Sequence, residues 1–252
     1  MDRSPPDADA LDVGALKTEL RKRCWQAIRD AGAARFPGVE GRIPNFVGAE
    51  AAAKLLVGHP VFAGASVLKC NPDSPQRPVR HAALKAGKTI YMAVPKLADA
   101  RPFIALDPAN IPDGKLWAAS SIKGAAEFGV PVRLDEMQPI DLIVTGCVGI
   151  TRGGDRLGKG GGYSDLEFGL LREQGLVDPD VPVVTTMHPA QVLPRGGVPM
   201  TPHDVRLDWV FLPEEAVDCG RQGGRPAGVL SDELTETKRD GIPVLAGREA
   251  RG

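Results

Sequence analysis

Cysteine is scarce in this 252-residue chain, and the four present, Cys24, Cys70, Cys147 and Cys219, stand far apart with no CxxC pair. That spacing suggests neither a zinc site nor a disulfide framework, and ordinary buried thiols account for it. Aromatic residues make up only 5% of the sequence. No apolar run approaches membrane-spanning length, and the amino terminus is acidic and rich in Pro and Asp where a secretory leader would be basic and then apolar. Excess charge is missing too: 31 Lys and Arg stand against 32 Asp and Glu, a formal net charge of -1. Such a balance argues against a general nucleic-acid or membrane-surface binder and requires any basic site to be local. The expectation is a cytoplasmic protein that binds no nucleic acid and no membrane.

Glycine, in contrast, is plentiful, with 30 residues. Six of them fall in the stretch GGDRLGKGGGYSDLEF, residues 153–168, beside Asp155, Arg156 and Lys159. Around this run, helical and strand patterns alternate. VGALKTELRKRCWQAIRDAG places Leu16, Leu20, Cys24 and Ile28 four apart, an amphipathic helix stopped at Gly32. GAEAAAKLLVGH and PVRHAALKAGK read as helices, the second ended by Gly87, while SVLKCNPD and TIYMAVPKL read as strands. Downstream follow a weak helix in SIKGAAEFG, a continuous apolar strand in IDLIVTGCVGI, a helix in YSDLEFGLLREQGL, and strands in PVVTTMH and VRLDWVFL.

Helices alternating with fully apolar strands predict a three-layer α/β/α domain around a mostly parallel sheet. The expected organisation is a disordered tail at 1–12 and one domain over 13–252. Its last part, 213–252, is loose and Gly-rich with a short helix in SDELTETKR, and folds back on the domain.

In such sheets ligands sit beyond the carboxyl ends of the strands, where the glycine run falls. A buried strand delivers the chain to the glycines and a helix begins at about Tyr163. Free N–H groups at a helix start, its dipole, and the cations Arg156 and Lys159 all suit phosphate. Two known phosphate patterns fail. Gly160 stands where a P-loop needs Ser or Thr, and Tyr163 stands where GxGxxG needs its last glycine. What remains is a phosphate loop of another type or a flexible turn.

The run Arg156, Leu157, Gly158, Lys159, Gly160, Gly161, Gly162, Tyr163 and Asp165 resembles the signature of the 5-formyltetrahydrofolate cyclo-ligase (methenyltetrahydrofolate synthetase) family, usually RLGxGGGYYD followed by Arg. RIPNF at 42–46, KCNPDSPQRPVR at 69–80, GGGYSDLEFGLL at 160–171 and MTPHDVRLDWV at 200–210 are similar to its methenyltetrahydrofolate synthetase domain-containing branch. The likeness runs over roughly residues 15–245. It implies a fold like the sugar-isomerase and CoA-transferase group, and a ligase, monomeric or homodimeric, that uses ATP and Mg²⁺ on a folate-like small molecule.

The resemblance implies roles for particular residues. Lys17 and Arg21, one helical turn apart, would contact ATP phosphates together with Arg156, Gly158, Lys159, Gly160, Gly161, Gly162 and Tyr163. Without the resemblance, Lys17 and Arg21 read as an ordinary solvated basic face. Arg156 and Asp165 would be catalytic. Asp165 would also serve the metal with Asp204 and Asp208, which share one face if that segment is extended; Asp204 otherwise reads as a turn cap. Lys69, Asn71 and Arg80, after a strand, and His188, after another, are expected to contact substrate, although a turn with a basic helix explains the first three as well. Three departures stand out. Ser164 replaces the second tyrosine, Leu166 replaces the arginine after Asp165, and 69–80 lacks the usual glutamate-containing segment. The missing arginine removes a phosphate-competent cation.

Overall fold

The computed structural model describes residues 12–221, 223–231 and 234–246. The expected tail at 1–12 lies outside them except for Asp12, whose carboxylate accepts the Gly14 N–H at 2.9 Å and caps the first helix.

The helices are α1 (Val13–Asp30), α2 (Ala49–Val57), α3 (Pro60–Ala63), α4 (Arg77–Lys85), α5 (Leu116–Ala119), α6 (Ile122–Phe128), α7 (Tyr163–Glu173) and α8 (Glu236–Gly241). The strands are β1 (Val67–Cys70), β2 (Thr89–Ala93), β3 (Phe103–Leu106), β4 (Val130–Val132), β5 (Leu142–Val144), β6 (Gly149–Thr151), β7 (Arg156–Leu157), β8 (Val183–Thr186), β9 (Val192–Leu193), β10 (Trp209–Phe211) and β11 (Ala216–Asp218).

Eight strands form one sheet in the order β11-β10-β8-β5-β1-β2-β3-β4. Its centre, β10-β8-β5-β1-β2, is parallel, and β3, β4 and β11 join antiparallel at the edges. Alternation along the strands divides two cores. Leu68, Ile90, Met92, Leu142 and Val144 meet Leu56, Val79, Ala83 and Leu84 of α2 and α4 on one face. Val67, Tyr91 and Ile143 meet Leu166, Leu170 and Leu171 of α7 on the other. The molecule is thus a three-layer α/β structure with a mainly parallel sheet. Among the described residues no helix is long and apolar enough to cross a membrane.

Two differences from the sequence reading bear on the small sheet. IDLIVTGCVGI is two strands: β5 ends at Val144, while β6 belongs to a separate three-stranded sheet, β7-β6-β9. The changeover is set by hydrogen bonding. The Thr145 carbonyl is taken by the Thr185 hydroxyl at 2.7 Å, and the Val148 N–H pairs with the Leu157 carbonyl at 2.8 Å. An unbroken apolar run reports burial on both faces and cannot report a change of sheet. In α1, Leu16 is 39% exposed, and the buried stripe is Leu20, Cys24, Trp25 and Ile28. Those four residues cover the small sheet through Val148 and Leu157.

Candidate active site

Sheet order reverses at β1, which pairs with β2 on one side and β5 on the other. Chains leaving β1 and β5 part at this switch point and open a crevice at their carboxyl ends. A cavity of about 610 Å³ lies there, walled by Asn71 and Asp73 after β1, Gly146 after β5, and the loop and helix from Arg156 to Glu167.

The glycine loop connects β7 to α7. Gly160 and Gly162 have φ of +110° and +64°, a region that side-chain-bearing residues avoid, and Gly162 is the N-cap of α7. No side chain caps that helix start, which leaves its first N–H groups without a side-chain acceptor. Arg156 is buried, pairs with Asp165 and donates to the Val205 carbonyl at 3.3 Å. Burial works against the charge of Arg156, and Asp165 outweighs it, so the guanidinium pKa lies above its ordinary value. Arg21 donates to the Gly158 carbonyl at 2.8 Å. Lys17 does not lie on a solvated face: its ammonium donates to Asp204 Oδ2 at 2.5 Å, where the Thr201 N–H and hydroxyl also converge at 2.7 and 2.8 Å. Lys159 lines the cavity, and its charge acts on Asp73. Burial still holds the Asp73 carboxyl above the usual carboxylate range.

The residues assigned to substrate separate into two groups. Asn71 lines the cavity, with its amide donating to Ser164 Oγ at 3.3 Å and its oxygen accepting from Lys69 at 2.6 Å. Lys69 itself is buried beneath it in an ion pair with Glu167 of α7. Arg80 is not at the cavity wall: it is 1% exposed and donates to the carbonyls of Asn71, Pro72, Asp73 and Ser120, holding the chain after β1. His188 is also outside the wall, its Nδ1 accepting the Ala190 N–H at 3.2 Å at the start of a short turn. In both cases a polar group near a strand end spends its capacity on backbone, which sequence spacing cannot distinguish from ligand contact.

The three aspartates expected at a metal do not assemble. Asp208 lies at the amino end of β10, at the opposite edge from the crevice, and is held by Arg221, Arg225 and the Val183 N–H. It shares no face with Asp204, because residues 204–207 are not extended strand but loop. Among the described residues no group of three His, Cys, Asp or Glu stands close enough to hold a metal. The loop therefore fits phosphate through bare backbone and cations. Its donor set suits a hydrated Mg²⁺ carried on phosphate oxygens, with at most one carboxylate, and not an ion caged by protein.

Several residues at and behind the wall have contacts the sequence reading does not give. Thr145 shares a 2.9 Å hydrogen bond with Ser164, so the serine at the departure position is tied to β5. Leu166, the other departure, is 6% exposed and packs in the core. Arg42, Lys96, Ile122 and Glu167 also line the cavity. Arg42 and Glu167 carried a signal, through their places in RIPNF and GGGYSDLEFGLL, and Lys96 and Ile122 carried none. The thiol of Cys147, between β5 and β6, is buried and pushed up to about 11, far from a neutral-pH thiolate nucleophile.

The description "5-formyltetrahydrofolate cyclo-ligase family" belongs to a family model that matches residues 13–213. The chain is 33% identical over 239 residues to the methenyltetrahydrofolate synthase domain-containing protein of Mus musculus, an alignment covering 94% of this chain and 64% of that protein. It is 30% identical over 240 residues to the Homo sapiens protein of the same name, covering 95% and 63% respectively. The chain thus spans less than two thirds of these relatives' length. The NMR structure of 5,10-methenyltetrahydrofolate synthetase from Aquifex aeolicus shares the fold, with a TM-score of 0.52 and 20% identity over 82% of this chain and 94% of that one. With the match extending over α1, the crevice and the glycine loop, this chain belongs to the 5-formyltetrahydrofolate cyclo-ligase family.

Proposed function

We propose that this chain is an ATP- and Mg²⁺-dependent ligase that closes 5-formyltetrahydrofolate to its 5,10-methenyl form. The observation that carries this reading is the meeting of the glycine loop, the buried Arg156 and the switch-point cavity on one wall. MgATP, when bound, supplies the phosphoryl group that makes the formyl oxygen a leaving group. The chain's own task is then to position and to neutralise charge. Arg156, fixed by Asp165, presents a cation whose orientation is set before substrate arrives, and Lys159 and the loop N–H groups add to it. Asn71 and Ser164 form a hydrogen-bonded rail at the cavity, backed by the buried Thr145, that can orient a heterocycle. Ring closure joins the second folate nitrogen to the formyl carbon, releases the oxygen with phosphate and sheds the nitrogen's proton. No covalent enzyme intermediate is needed, in keeping with the protonated Cys147. All of these groups come from a single chain.

A second reading, a paralogue acting on another heterocycle with an amide-like oxygen, is favoured by Ser164 and Leu166. The rail at Ser164 and the apolar Leu166 replace a tyrosine and a cation of the usual pattern. The test is ADP release by purified protein with MgATP, with and without 5-formyltetrahydrofolate, while absorbance of the methenyl product is followed. Coupled formation of both is the expected result. ATP binding with neither product would overturn the folate assignment and favour the second reading.

A further inference from the structure

The match to the family model ends at residue 213, and the chain beyond it returns to the glycine loop. Ile242 and Leu245, 2% and 0% exposed, anchor the return in the same core as Leu166 and Leu170 of α7. Within it, the Thr235 hydroxyl accepts the Lys238 N–H at 3.4 Å, and Arg239 donates to the Ser231 carbonyl at 3.3 Å. The anchors and the cap together orient α8.

On that helix Lys238 reaches the loop. Its Nζ lies 5.5 Å from the centre of the Tyr163 ring and 2.9 Å from the point where a methyl on Gly162 would stand. Arg21 approaches Gly160 in the same manner, its Cζ 3.3 Å from the corresponding point. The two left-handed glycines are thus each faced by a cation, one from α1 and one from α8, elements far apart in the chain. Between α8 and the loop lies a cavity of about 50 Å³ bordered by Gly162, Asp165, His203 and Lys238.

Among the described residues no carboxylate stands within 4.0 Å of the Lys238 ammonium. The carboxylate that acts on it electrostatically is Asp165, which is already held by Arg156. Lys238 is therefore a half-buried cation with part of its hydration removed and no counter-ion in contact among the described residues, placed at the start of a helix that no side chain caps. An anion in the loop answers both deficits. We propose that Lys238 is a further ligand for the nucleotide's phosphates, so that the segment beyond residue 213 completes the nucleotide site. This assignment rests on the nucleotide reading of the loop given above.

The test compares the full chain with Lys238→Met and Lys238→Arg. Calorimetry would measure binding of adenylyl-imidodiphosphate with Mg²⁺ and of tripolyphosphate alone, alongside hydrogen exchange over residues 235–241. Lys238→Met is expected to weaken both ligands about tenfold and Lys238→Arg to stay within about threefold of wild type, as loss and retention of one charge-assisted contact require. Exchange at 235–241 is expected to slow on nucleotide binding in wild type and not in Lys238→Met. Equal affinity of wild type and Lys238→Met would overturn the Lys238 assignment and leave the nucleotide reading standing. Weakening that arginine fails to rescue, accompanied by a lower ligand-free melting temperature, would mean that Lys238 only packs on Tyr163. A wild type that binds neither ligand would remove the nucleotide reading and this inference with it.

Discussion

Asp165 Oδ1 receives both the Arg156 guanidinium and the Val205 N–H, the latter at 3.0 Å, so one carboxylate oxygen ties β7, α7 and the loop before β10 together. Arg156 consequently has two roles, in the site and in the fold, and a variant must separate them. Arg156→Ala leaves Asp165 buried without its partner and is expected to cost about 3 kcal/mol of stability. Arg156→Lys keeps the charge and loses the two-pronged geometry. Denaturant unfolding should show the lysine variant much closer to wild type than the alanine variant. ADP release should nonetheless fall at least about a hundredfold in it if the guanidinium positions developing charge.

Gly160→Ala tests the loop backbone. At φ +110° a side chain is strained by about 1–2 kcal/mol, and its Cβ would stand 3.3 Å from Arg21 Cζ. The expected outcome is a modest drop in melting temperature with a larger loss of ATP affinity, read by thermal melts and a nucleotide titration.

Acid should loosen the junction between α1 and the loop before β10. Burial tends to raise the Asp204 pKa, but the hydrogen bonds from Lys17 and Thr201 prevail and hold it below its ordinary value of 3.8. A carboxyl lowered on folding contributes stability that is fully present above its unfolded pKa and is lost as pH falls through the folded one. The Lys17–Asp204 contribution is therefore constant at neutral pH, begins to fall below about pH 4 and is lost as pH drops through the lowered folded-state value. Asp204→Asn should be less stable than wild type at pH 7, and the difference should shrink in urea melts at pH 3.

Arg80→Met should act on stability, not on recognition. The substitution strands the carbonyls of Asn71, Pro72, Asp73 and Ser120 that Arg80 now serves. A loss of about 3 kcal/mol is expected from several buried acceptors losing a charged donor. If chemical denaturation shows wild-type stability and the KM for substrate rises instead, Arg80 contacts the ligand after all.

Much of the architecture was legible before any coordinates. Alternating helices and apolar strands announce a covered parallel sheet, because a strand buried on both faces has no polar side to show. The glycine run announced its place at a strand end, where bare backbone next to cations at a helix start suits an anion and reads equally as a flexible turn. Family resemblance rests on the same local residues. These features are written in short windows, where backbone geometry follows from neighbouring side chains.

Partnership was not legible. Lys17 pairs with Asp204 across 187 positions, Asn71 meets Ser164 across 93, and Arg156 meets the Val205 carbonyl across 49. Arg80 and Asp208 look like ligand residues in the sequence because a charge after a strand reads the same whether it faces a crevice or a carbonyl. Lys238 carries no signal of a ligand role, being a lysine on a short helix beyond the end of the family-model match. Local sequence determined the layers and the glycine loop. Only the tertiary structure decided which charges are consumed by the protein and which face the cavity, because a charged group's partner depends on distance in space, and folding sets that distance.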